Sequence, residues 1–187
     1  MRNMDEILTL VCDFLNREKI DYVVVGGLAV IFHGIPRTTM GVDMIFQIEE
    51  EEIARFVEFL GENGFFTGVE DMRTAFEEKS HCTVQDKRSM IRLDVKEVYD
   101  ETDRRTLRRR IAFEHMGTRI YLASSEDIVA NKLVFGSEQD IRDAEGIYVR
   151  QMKSLDKEYL EDICRKMGVH GDFLKMKNRV EKHLEEK

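Results

Sequence analysis

The sequence predicts an α+β fold: a mixed, mostly antiparallel sheet flanked by helices over residues 1–122, then a helical C-terminal part over 123–187 packed on it. Three observations carry that prediction. Ile20–Val25 is apolar nearly throughout, as a central buried strand is, and it runs straight into the pair Gly26-Gly27. Residues 65–95 break into short strand-like runs separated by turn residues. After residue 122 the texture is helical, with start signatures at Ser124-Ser125-Glu126-Asp127, at Ser137-Glu138-Gln139-Asp140 and at Asp156.

Each element follows from local pattern. Ile7, Leu8, Val11, Phe14 and Leu15 form a helix-period stripe within residues 4–19. Tyr22–Val25 reads as a strand, Gly26-Gly27 as a turn and Leu28–His33 as a short helix; a loop with Pro36 and Arg37 leads to a second strand, Val42–Ile48. His33 reads as a helix-end histidine. The acidic run Glu49–Glu52 suits a helix N-terminus, where the dipole favours negative charge. That helix places Ile53, Phe56, Val57 and Leu60 on one face and closes at Gly61 and Gly64.

Phe65–Val69 is a strand candidate, and His81–Gln85 with Ser89–Val95 reads as a hairpin around Asp86-Lys87-Arg88. Alternation puts Met90, Arg92 and Asp94 on one face and Ile91, Leu93 and Val95 on the other. Thr102–Arg110 is a basic helix, and Ile111–His115 with Arg119–Leu122 a second hairpin. The helices beyond run to about Phe135, from Ser137 to about Met152, onward from Asp156, and from about Gly171.

Composition bounds the function. A chain of 187 residues can close a full hydrophobic core, and 42% hydrophobic with 35% charged residues is an ordinary globular balance. No apolar run approaches the roughly 20 residues that span a membrane. The N-terminus has acids inside its apolar stretch and no small-residue cleavage site, so no signal peptide is expected and the location expected is cytoplasmic. Cys12, Cys82 and Cys164 are scattered and odd in number, which argues against a disulfide framework or a zinc site. The ten methionines are dispersed and suit core filling. A net charge of −8 argues against a general nucleic-acid coat protein.

The stretch Tyr22–Ile48 has the layout of a phosphate and metal site. Two glycines after a strand let a ligand approach the backbone, and the helix beginning there offers free N–H groups to an anion. Asp43, near the start of the next strand, can hold a divalent cation through hard oxygen ligation, and that cation can bridge phosphates.

Gly26-Gly27, the run Arg37-Thr38-Thr39 and the carboxylate Asp43 together resemble the DNA polymerase β-type nucleotidyltransferase superfamily, nearest to its AbiEii-like and minimal branches. The resemblance covers roughly residues 20–150. It implies Asp43 and Asp94 as catalytic and metal-binding carboxylates for Mg2+ (Mn2+ the alternative) and Lys132 as a lysine facing the site, with Asp140 and Asp143 as the acidic pair beside it. Gly26, Gly27, Arg37, Thr38 and Thr39 become substrate-binding positions. Two departures matter. Gly41 stands where the family's first carboxylate belongs, and Ser137-Glu138-Gln139-Asp140 stands where the family often has a basic run.

The activity implied is transfer of a nucleoside monophosphate from an NTP to a hydroxyl of RNA or protein, weakened by Gly41, with a toxin–antitoxin pair as one setting. The alternatives are a catalytically degenerate module that binds nucleotide or RNA, and a structural interaction protein with a vestigial site. The arginines of 104–110 offer either a grip on phosphate, with Arg105 and Arg109 on one face, or a solvated face paired with Glu101, Asp103 and Glu114.

Overall fold

The computed structural model describes residues 1–185. In chain order its elements are α1 (Met4–Glu18), β1 (Asp21–Val25), α2 (Gly26–Phe32), β2 (Gly41–Gln47), α3 (Glu50–Glu62), β3 (Phe65–Phe66), α4 (Val69–Glu77), β4 (Cys82–Asp86), β5 (Arg92–Glu97), α5 (Glu101–Arg108), β6 (Ile111–His115), β7 (Thr118–Leu122), α6 (Ser125–Phe135), α7 (Glu138–Gln151), α8 (Lys157–Lys166) and α9 (His170–Glu185). Two compact units contain them: Met1–Leu28 with Thr38–Ala123, and Ala29–Arg37 with the chain from Ser124 onward.

The first unit is built on one sheet of strand order β3-β4-β5-β2-β1-β7-β6. The β1–β2, β3–β4, β4–β5 and β6–β7 pairs are antiparallel, while β2–β5 and β1–β7 are parallel. This is the mostly antiparallel α+β arrangement expected. Strand alternation gives the sheet two faces. One carries Tyr22, Val24, Val42, Met44, Phe46, Val84, Leu93 and Val95, all buried. It packs under α1, α3 and α4, where Phe46 meets Phe56 edge-on at 5.5 Å and Phe76 at 5.9 Å. Truncating such a buried ring costs about 3–5 kcal/mol. The opposite face carries Val23, Val25, Gly41, Asp43, Ile45, Arg92, Asp94 and Lys96 by the same alternation. Helix α5 is pinned to that face by Lys96–Asp103 at 2.8 Å and Arg110–Asp21 at 2.5 Å.

The structure corrects several element readings. The strand expected over Phe65–Val69 is only Phe65–Phe66, and α4 begins at Val69 behind Gly68. Acids in its first turn and only two buried apolar residues, Met72 and Phe76, make a helix too short to reveal its period in sequence. The second hairpin strand runs Arg92–Glu97 rather than Ser89–Val95, with a longer connection before it. Helix α2 starts at Gly26 rather than Leu28, so the glycine pair forms its first turn. Helix α5 ends at Arg108, because Arg110 turns away to Asp21.

The second unit is helical. Ser124 caps α6 through the N–H of Asp127, and the fully buried Asp127 carboxylate accepts from Ser124 Oγ and from the Tyr159 hydroxyl, both at 2.9 Å. Glu126 accepts the Asp156 N–H at 2.8 Å, which ties the start of α8 to α6. Around these polar pins, Ile128, Val129, Leu133, Ala144, Ile147, Leu160, Ile163, Phe173 and Met176 make the core. Gly146 of α7 is fitted to Ile35, since a Cβ there would stand 2.8 Å from Ile35 Cδ1. Among the described residues no helix is long and apolar enough to cross a membrane.

Candidate functional site

The first unit brings the predicted carboxylates together. Strand β1 ends at Val25, the Cα partner of Asp43, and the chain then turns through Gly26 at φ +64°. A Cβ on Gly26 would lie 2.2 Å from Asp43 Oδ2. The carboxylate therefore rests against the glycine backbone, and both the left-handed φ and the close approach exclude a side chain. Gly27 follows in the first turn of α2.

Asp43 and Asp94 are Cα partners on the parallel strands β2 and β5. In-register residues of neighbouring strands point to the same face, about 4.8 Å apart along the hydrogen-bonding direction. Both carboxylates are only partly buried. Thr83 of β4 is the Cα partner of Asp94 on the other side, and its hydroxyl donates to Asp94 Oδ1 at 2.5 Å.

Gly41 precedes Asp43 by two residues on that same face and is the Cα partner of Arg92. A Cβ added to Gly41 would lie 3.3 Å from Asp94 Oδ2, and its φ is outside the left-handed region. Nothing in the backbone there demands glycine. Thr39 Oγ1 donates to the Gly41 carbonyl at 3.3 Å and accepts the Gly41 N–H at 3.5 Å, fixing the entry to β2. Thr38 lies one residue earlier in the same loop.

Two cations flank Asp94 at i±2 on its face. Arg92 is exposed, with no ion-pair partner among the described residues. Lys96 pairs with Asp103 and lies 5.4 Å from the centre of the Tyr99 ring. Arg105 and Arg109 lie on α5 and its C-cap. The pairings expected of the arginine cluster need correction: Arg108 does meet Glu101 at 2.6 Å, but Asp103 takes Lys96 and Glu114 takes Arg119.

In the second unit, Arg37, Lys132, Asp140 and Asp143 converge. Lys132 Nζ sits 2.6 Å from Asp140 and 3.1 Å from Asp143. The fully buried Asp143 carboxylate also accepts from Arg37 and, at 2.8 Å, from Gln139. Ser137 Oγ donates to Asp140 at 2.5 Å. Burial pushes the Asp140 carboxyl up, but the Lys132 and Ser137 hydrogen bonds outweigh it and hold it below the usual carboxylate range. His33, expected only to end a helix, is buried with its Nδ1 3.0 Å from Ser125 Oγ, and Gln151 donates to its carbonyl at 3.2 Å.

Among the described residues no group of three or more His, Cys, Asp or Glu side chains is arranged to hold a metal ion. The carboxylate face thus offers two such donors, Asp43 and Asp94. Sequence reasoning missed Thr83 and Lys96. Thr83 carries no signal of its own, because its meeting with Asp94 depends on a hairpin register the turn residues misplace. Lys96 lies beyond the point where the strand was expected to stop. Arg92 was legible as a neighbour of Asp94 but not as the partner of Gly41.

A glycine turn cradling a carboxylate, a second carboxylate in register beside it and a mostly antiparallel sheet together define a nucleotidyltransferase-like fold. The model of a family described as nucleotidyltransferase of unknown function (DUF6036) matches residues 2–182, and the chain belongs to that family. No curated protein sequence matches it. Among solved structures, the chain is similar to an antigenic nucleotidyltransferase-like protein from Paracoccidioides brasiliensis, with 19% identity, 76% of this chain and 74% of that chain covered, and a TM-score of 0.55. It is similar to the antibiotic-resistance factor ANT(2'')-Ia at 14% identity, 98% and 97% coverage and a TM-score of 0.56. The lincosamide antibiotic adenylyltransferase LnuA follows at 15% identity, 73% and 91% coverage and a TM-score of 0.50. At these identities the likeness is one of fold.

Proposed function

We propose that this protein transfers a nucleoside monophosphate from an NTP to a hydroxyl acceptor, with Asp43 and Asp94 holding the assisting cation. The observation that carries this reading is the in-register pairing of the two carboxylates beside the Gly26 backbone. The donor set suits a hard cation: carboxylate oxygens from two adjacent strands, with water completing its coordination. It fits one Mg2+ or Mn2+ better than two, since residue 41 supplies no oxygen. Such an ion, when bound, neutralises phosphate charge and lowers the pKa of a coordinated hydroxyl.

The remaining roles belong to the chain itself. Gly26 and Gly27 let phosphate approach the backbone, and Thr38 and Thr39 line the entry to β2. Arg37 and Lys132, by the resemblance, and Arg105 and Arg109 are the charge partners proposed for the substrate; within the second unit, Arg37 and Lys132 both pair with Asp143. In the reaction the acceptor oxygen bonds to the α-phosphorus, the α–β phosphoanhydride breaks, pyrophosphate leaves, and the hydroxyl proton passes to solvent. The acceptors to test are RNA, protein, and small hydroxyl compounds of the kinds named for the similar structures, lincomycin and tobramycin.

A second reading is favoured by one observation: position 41 is glycine, with no carboxylate, although its φ does not require glycine. In that reading the carboxylate face binds nucleotide or RNA without turnover, as one component of a toxin–antitoxin pair. Transfer of label from each α-labelled NTP, with Mg2+, onto those acceptors separates the two when the native chain, Gly41→Asp and Asp43→Ala run together. Label transferred by the native chain and lost in Asp43→Ala supports the enzyme. Label from Gly41→Asp alone supports the degenerate binder. No transfer by any of the three, on any acceptor, sinks the transferase reading.

A further inference from the structure

Thr83 sits on β4, exposed, directly across from Asp94. Its hydroxyl donates to Asp94 Oδ1 at 2.5 Å, a short charge-assisted bond. The other oxygen, Oδ2, is the one a Cβ at Gly41 would meet at 3.3 Å. One oxygen of the carboxylate is thus tied to β4 while the other is turned toward β2, the strand that carries Asp43. A free aspartate on a strand turns about χ2 with little preference, and its carboxylate has a broad, two-fold torsion. Position 41 offers no side chain to steer it from the β2 side.

We infer that Thr83 is a positioning residue for Asp94, holding Oδ1 so that Oδ2 faces the cation position shared with Asp43; the inference rests on the proposed role of that pair. Removing an orienting partner of a metal-ligating carboxylate typically costs about 10–100-fold in metal affinity or activity. Thr83→Val keeps the shape and a strand-favouring side chain at an exposed site while deleting the donor. Thr83→Ser keeps the donor.

The test titrates Mn2+ into nucleotide-free protein and reads the free ion by electron paramagnetic resonance, for the native chain, Thr83→Val, Thr83→Ser and Asp94→Asn. The expected result is Asp94-dependent binding in the native chain, weakened roughly tenfold or more in Thr83→Val and restored in Thr83→Ser. In turnover, Thr83→Val is expected to need more metal for half-maximal rate while regaining rate at saturation. Equal affinity in the native chain and Thr83→Val overturns the inference and leaves the Asp43–Asp94 reading standing. Weakening by Thr83→Ser as large as by Thr83→Val also overturns it, marking a packing effect. No binding that Asp94→Asn abolishes overturns both. Should Thr83→Val fail to fold by circular dichroism, Thr83→Ala compared with Thr83→Ser decides by the same readout.

Discussion

Two glycines on the carboxylate face are glycines for different reasons. Gly26 is required twice over, by its φ of +64° and by Asp43 Oδ2 lying where its Cβ would go. Gly26→Ala is expected to cost at least about 1–2 kcal/mol from the left-handed backbone alone. It should also displace Asp43, so urea unfolding and Mn2+ affinity should both suffer. Gly41 has no left-handed φ, and a Cβ there would press most closely on the Asp94 carboxylate, 3.3 Å away, which a small turn of that side chain relieves. Gly41→Asp is expected to fold, to lower the thermal midpoint in metal-free, low-salt buffer through repulsion with Asp94, and to regain it when Mg2+ is added. A thermal scan with and without Mg2+ checks this, and an unchanged metal-free midpoint would place the new carboxylate away from Asp94. Arg92, exposed beside Asp94 and opposite Gly41, belongs to the same argument. Arg92→Gln should weaken NTP binding without lowering the melting temperature, as read by a fluorescent nucleotide titration.

At the scale of elements, one buried anion ties three pieces of the second unit together. Asp143 gathers Arg37, Lys132 and Gln139, joining the segment before β2 to α6 and α7. Breaking a buried ion pair from one side costs about 3–5 kcal/mol, and because Arg37 keeps some contact with water Asp143→Ala should fall near the low end. Asp140 adds a pH dependence of known sign. Its carboxyl is held below the usual range, so its contribution is present above the unfolded value of about 3.9 and fades as pH falls through that value toward its folded one. The stability gap between native protein and Asp140→Asn should therefore shrink below about pH 4. How much of this was legible follows from how local each signal is. The helix starts at Ser124, Ser137 and Asp156 are short-range patterns, and all are there; the glycine pair was legible as the end of β1, though it opens α2 rather than a separate turn. Lys132, Asp140 and Asp143 are singled out only by the resemblance, and their pairing with one another is a tertiary contact across α6 and α7. Helix α4 was not legible, because two apolar residues do not make a period. The Thr83–Asp94 contact was not either, because strand register is a long-range property.

For the whole molecule, nucleotide binding at the proposed site should register as ligand-dependent stability. NTP with Mg2+ at about a hundred times its Kd adds about 2.7 kcal/mol, or roughly 5–10 °C in a chain of this size, and Asp43→Ala should remove it. Burial pushes the Cys12 and Cys164 thiols up to about 12 and raises that of Cys82 as well. All three are free and buried, so a thiol reagent at pH 8 should find them silent until the chain unfolds. The pairing of Asp43 with Asp94 also has a consequence for how this gene can vary. It is set by counting residues along β5, and side chains alternate every single residue. One codon inserted between Arg92 and Leu93 would bring the aliphatic Leu93 opposite Asp43 and turn Asp94 under α3 and α4. The loop from 87 to 91 can change length in evolution, whereas within the strand even a silent-looking duplication of one residue would erase the acidic pair.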